Sequence, residues 1–173
     1  MSSKSKNKGK SWERDVANHL TALYEEKFVR VPHSGAYIGG VNAIRKELLD
    51  EGQIRGFKGD IIPPSSWNYF NCEAKNYGDF PFHLLFSKPV PLLETWLGQL
   101  LDVADPHDLN LLFVKITRKG KYLIFPQGIP SLQSKNYFIY DSPKYGKWFI
   151  MDYDLFWSLN FDAVRNLCIN SIK

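Results

Sequence analysis

Cysteine is nearly absent. Cys72 and Cys168 are the only two in 173 residues, and their spacing fits neither a disulfide framework nor a metal or redox motif. Both read as reduced core residues, which predicts a cytoplasmic protein. No apolar run approaches the length of a membrane span, and none stands near the N-terminus as a signal peptide requires. The four histidines, His19, His33, His83 and His107, lack zinc-ligand spacing. There is no Gly-x-x-x-x-Gly-Lys loop for a nucleotide, no serine nucleophile elbow and no internal repeat. Excess charge of one sign is also missing from the body of the chain. The net charge is +4, and Lys4, Lys6, Lys8 and Lys10 carry all of it. That argues against a uniform coating of nucleic acid, but it allows a local basic face beside an acidic site.

What remains is an ordinary globular composition, 44% hydrophobic and 15% aromatic. It predicts a single domain over 11–173, large enough for a proper core, preceded by a disordered basic arm over 1–10. The arm is either a solubilising tail or a phosphate contact. Ser11 reads as an N-cap for a helix over 12–26, with Trp12, Val16, Leu20 and Leu23 as its apolar stripe. Glu13 lies beside that stripe, where the helix dipole favours an acid. A short strand covers 28–31. Gly39-Gly40, a helical stretch over 42–51 and then Gly52 and Gly56 make a long connection. Arg45, Lys46, Arg55 and Lys58 make it either a DNA-contacting flap or a solvated helix.

The most informative stretch is Gly59 to Lys75. It reads as two strands joined by a Pro63-Pro64-Ser65-Ser66 turn. On the second, 67–75, alternation turns Phe70, Cys72 and Ala74 to a core face, and Asn71, Glu73 and Lys75 to the other. Asp60, on the first strand, is then a neighbour of Glu73. Two carboxylates suit a hard divalent cation, Mg²⁺ or Mn²⁺ in its place, with water and substrate phosphate completing the shell. Such a metal acidifies a water and offsets phosphate charge, and a lysine can orient that water. A solvated ion pair on a sheet face has the same spelling.

Downstream, 76–91 is irregular. Leu92 to Ala104 predicts a helix with a broad apolar face that includes Gln99. Strands over 109–117 and 122–125 form a hairpin whose tip, Arg118-Lys119-Gly120-Lys121, offers phosphate contacts. Short strands over 136–141 and 147–153 precede a helix over 155–169. Asp154 is its expected cap, and Phe156, Leu159, Val164 and Leu167 its expected inward face. This extension, 126–173, reads equally as extra packing, a dimer surface or a substrate element.

Gly59-Asp60 followed by Glu73-Ala74-Lys75 resembles the PD-(D/E)XK nuclease superfamily, with glycine in place of the usual proline. Arg30, then Ser34-Gly35-Ala36, resembles the archaeal-type Holliday junction resolvases within it. The resemblance spans 10–125. It implies an α/β, restriction-endonuclease-like core (11–125), a mixed central sheet flanked by helices, with the C-terminal extension added. It implies that Asp60, Glu73 and the Ala74 carbonyl hold Mg²⁺, with Glu13 as a further ligand. Lys75 would position the attacking water, Ser34 would lie near the scissile phosphate, and Gln99 would reach toward Lys75. Arg30 would lie near the DNA backbone. The implied activity is resolution of four-way junctions by a homodimer, leaving 5′-phosphate ends. The partner is then branched or duplex DNA, with no membrane. Such a small enzyme suits a virus or mobile element, working in host cytoplasm or nucleoid. A restriction-like or flap- and mismatch-nicking nuclease on the same core is one alternative. A non-catalytic DNA-binding module is another.

Overall fold

The computed structural model describes residues 3–31, 58–127, 129 and 135–170, with side chains of the first helix described from residue 8. Its helices and strands in chain order are α1 (Ser3–Tyr24), β1 (Val29–Arg30), β2 (Ile61–Ile62), β3 (Phe70–Tyr77), α2 (Pro91–Leu101), β4 (Leu109–Ile116), β5 (Gly120–Pro126), β6 (Tyr137–Ser142), β7 (Gly146–Asp152) and α3 (Tyr153–Asn170). A short 3₁₀ helix, Phe82–Phe86, interrupts the irregular stretch after β3.

The five main strands form one mixed sheet in the order β3-β4-β5-β7-β6. β3 and β4 are parallel, joined through α2, and the other neighbours are antiparallel. β4 reads as a nearly continuous apolar run because it is central and covered on both faces. Leu109, Leu111 and Phe113 pack beneath α1 and α3. Leu112, Val114 and Ile116 pack against the Leu93, Trp96, Leu97 and Leu100 face of α2. The result is a helix–sheet–helix sandwich, an α/β fold with a mixed central sheet, as expected from the sequence. No described helix is long and apolar enough to cross a membrane.

Four expectations need correction. The first helix starts at Ser3, so most of the stretch read as a disordered arm is helical and Ser11 is interior to it. Extending an established helix costs far less than nucleating one, so a polar run without periodicity can still join it. Asn76 also donates to the Lys8 carbonyl at 3.0 Å, tying these turns to β3. Second, the two strands around Asp60 are not a hairpin. β2 pairs antiparallel with β1, Arg30 opposite Ile61, and β3 begins only at Phe70. Trp67 instead fills the core, edge-on to Tyr24 at 4.6 Å and to Phe28 at 5.0 Å. Third, Asp152 rather than Asp154 caps α3, accepting from the Leu155 amide at 2.9 Å. Fourth, the inward face of α3 includes Tyr153, Trp157, Asn160 and Cys168, whereas Leu159 is exposed. The extension therefore completes the sheet and its core, as packing.

Candidate active site

Asp60 stands at the free edge of β3. Its amide donates to the Cys72 carbonyl at 3.1 Å, and its carbonyl accepts from the Val31 amide at 2.9 Å. The side chain turns back onto the strand, where Asp60 Oδ2 accepts from the Ala74 amide at 2.7 Å. This placement depends on Gly59, which has a φ of +68°. A Cβ there would lie 2.3 Å from the Cys72 carbonyl oxygen. Only glycine supplies both the left-handed turn and the close approach.

Glu73 and Lys75 leave β3 on the face opposite Cys72 and Ala74, as alternation requires. Lys75 Nζ donates to Glu73 Oε1 at 2.5 Å and to Gln99 Oε1 on α2 at 2.6 Å. Glu13 on α1 pairs with Arg30 on β1, Nε to Oε2 at 2.5 Å. Five separate segments thus bring three carboxylates, a lysine, an arginine and a glutamine to one edge of the sheet. Asp60 is 4% exposed and Glu13 9%.

The electrostatics are those of a site short of positive charge. Burial, and then the negative charge of Asp60, push the Glu73 carboxyl up to about 7, although Lys75 pulls the other way. Glu13 is also raised, first by burial and then by Asp60, with Arg30 opposing. Removing carboxylates from water disfavours their charged form unless a cation compensates. Oxygen donors under mutual repulsion, from Asp60, Glu73 and the Ala74 carbonyl, suit a hard divalent ion that keeps several water or phosphate ligands. Among the described residues no three His, Cys, Asp or Glu side chains form a ready-made metal cage. Glu13, held by Arg30, would first have to exchange that partner to become a ligand.

Residues 4–166 match the family described as Phage putative PDDEXK endonuclease. The chain belongs to this family. Comparisons with curated proteins and with solved structures gave no match. The family match extends well past Phe125, so β6, β7 and most of α3 fall within the PDDEXK endonuclease chain rather than beyond it. The match covers the edge of the sheet where the fold brings Asp60, Glu73 and Lys75 together.

Not every expected site residue joins them. Ser34, Arg45, Lys46 and Arg55 lie outside the described residues. Lys58 is turned inward rather than toward solvent. It is 7% exposed and its ammonium pairs with Asp105 and Asp108. A lysine in a polar run reads as solvated, and nothing nearby in sequence announces partners so far along the chain. At the β4–β5 hairpin, Lys119 pairs with Asp79 at 2.5 Å and Lys121 with Asp154 at 2.7 Å. Arg118, at φ 62°, makes no ion pair among the described residues. Lys115, not singled out from the sequence, sits between Asn76 and Lys121 in register, one residue beyond the level of Lys75. It pairs with Asp15 at 3.4 Å. Alternation alone does not mark it, because its place opposite Asn76 is visible only once the strands are in register.

Proposed function

We propose that this PDDEXK family member is a divalent-metal-dependent DNA endonuclease, hydrolysing phosphodiester bonds at the Asp60–Glu73–Lys75 cluster. The observation that carries this reading is the contact of Lys75 with both Glu73 and Gln99, beside Asp60 on the edge of the sheet. Asp60, Glu73 and the Ala74 carbonyl would hold Mg²⁺, or Mn²⁺ in its place. When bound, such an ion lowers the pKa of a water and offsets phosphate charge. Lys75 has three ammonium donors, and Glu73 and Gln99 occupy two. The third is available to orient the attacking water or to steady a phosphate oxygen as charge develops. Arg30 spends its Nε on Glu13 and keeps the rest of its guanidinium for a backbone phosphate. Arg118 supplies the hairpin's phosphate contact, and Lys119 and Lys121 do so only by exchanging their carboxylates.

Within the nucleases we favour a homodimer that resolves four-way junctions. This preference is supported by the ordered resemblance of Glu13, Arg30, Asp60, Glu-x-Lys and Gln99 to the junction resolvases, and by the match of a two-fold protein to a two-fold substrate. The deciding experiment is Mg²⁺-dependent cleavage of a labelled four-way junction beside duplex and flap controls, with Lys75→Ala alongside. Paired symmetric cuts, slowed by about 10²-fold or more in the variant, support the whole reading. Cutting all substrates alike retains the nuclease and discards the junction. Tight DNA binding without cleavage in Mg²⁺ or Mn²⁺ would make a non-catalytic binding module the better account.

A further inference from the structure

We propose that Lys58, clamped between Asp105 and Asp108, is a positioning residue that fixes the Asp60 carboxylate against β3. The importance of that carboxylate rests on the nuclease reading above, but the clamp itself can be tested without it.

Lys58 is buried, and its Nζ lies 2.9 Å from Asp105 Oδ2 and in contact with Asp108 Oδ2. Side chains of lysine are seldom this buried unless a counter-charge holds them. The acidic side of the clamp is itself rigid. Asp108 Oδ2 accepts from the Asp105 amide at 2.6 Å, and Asp108 directly precedes Leu109, whose amide donates to the Tyr69 carbonyl at 2.7 Å. The anchor is therefore the fixed corner where the chain enters β4, beside the start of β3.

Only Gly59 separates this anchor from Asp60. Glycine is the residue least able to hold its own backbone angles, and here it must hold a φ of +68°. Asp60 is secured on its C-terminal side by β2, which pairs with β1. Among the described residues, the side-chain anchor before the glycine is Lys58. An apolar residue at this position would fill the space but would not choose a direction. A lysine between two carboxylates on one fixed corner does both. The clamp thus converts a flexible turn into a defined one, and the Ala74 amide to Asp60 Oδ2 bond of 2.7 Å is its readout.

Amide hydrogen exchange on the metal-free protein tests this directly. In Lys58→Met, the Ala74 amide should exchange at least about tenfold faster, while amides of the central strand β4 keep their protection. Asp105→Asn, which leaves the Asp108 contact in place, should give a smaller change at the same amide and serves if Lys58→Met does not fold. Calorimetry with Mn²⁺ should show affinity weakened by about tenfold, as happens when a group that orients a metal ligand is lost. Affinity for DNA measured without divalent metal should stay at the wild-type value. Unchanged exchange at Ala74 overturns the proposal, and so does a uniform loss of protection across β3 and β4, which marks a merely structural ion pair. Wild-type protein that binds no Mn²⁺, with Ala74 responding as described, would sink the metal site and leave the clamp standing.

Discussion

Glu73 holds its proton more tightly in the folded chain than an ordinary glutamate does, and the sign of the consequence can be worked out. Its carboxyl is pushed up to about 7 when folded, against an ordinary value of 4.5, by burial and by Asp60. Between those values the folded state binds the proton and the unfolded state does not. Stability from this group is therefore fully present below about pH 4.5 and is lost as pH rises through about 7. The metal-free protein should melt at a lower temperature at pH 8 than at pH 6, with a loss of about 1 kcal/mol in stability between the two. Glu73→Gln should flatten that dependence. Added Mn²⁺ should raise the wild-type melting temperature more at pH 8 than at pH 5, because the metal competes with the proton for the same oxygens. Thermal melts across pH, with and without Mn²⁺, check all three. A wild-type stability that rises from pH 6 to 8 without metal would contradict the charge-deficient site described here. At this scale the sequence was legible where period-two alternation forces neighbours together, as for Glu73 and Lys75. It was silent for Lys58, whose partner Asp105 lies 47 positions away.

Elements were legible wherever one periodicity ruled. The apolar β4 run, the Trp96 face of α2 and the Trp12 stripe of α1 each declared their partners by pattern. Pairing over a distance was not legible. β2 finds β1 across a long intervening segment, and no local signal distinguishes that from the hairpin with β3 that the Pro63-Pro64 turn suggests. The turn before β2 is the element on which the site depends most. Gly59→Ala adds a methyl carbon 2.3 Å from a backbone oxygen that cannot step aside, at a φ of +68° that alanine resists. We expect a loss of more than about 1 kcal/mol in stability and a displaced Asp60. Chemical denaturation measures the first, and Mn²⁺ affinity the second. If alanine is tolerated with Mn²⁺ affinity intact, the glycine is a matter of chain flexibility rather than of close approach.

At the scale of the whole molecule, charge is arranged by pairing rather than by excess. Three lysines of the hairpin reach three different elements: Lys115 to Asp15 on α1, Lys119 to Asp79 after β3, and Lys121 to Asp154 on α3. Exposed pairs like these add little stability, but they decide how the surface meets a polyanion. A lysine already neutralised by a carboxylate brings no free charge to a phosphate and displaces few counterions from DNA, whereas Arg118 brings one. DNA affinity measured by fluorescence anisotropy across a salt series, in Ca²⁺ to prevent cutting, separates the two cases. Arg118→Ala should reduce the slope of log affinity against log salt by about one charge's worth. Lys119→Ala should leave that slope at its wild-type value. An equal reduction for both would mean that the Asp79 pair opens when DNA arrives, turning the hairpin from a fixed prop into part of the binding face. That outcome would also predict that Asp79→Asn tightens binding, since the lysine would no longer have to leave a partner before taking up a phosphate.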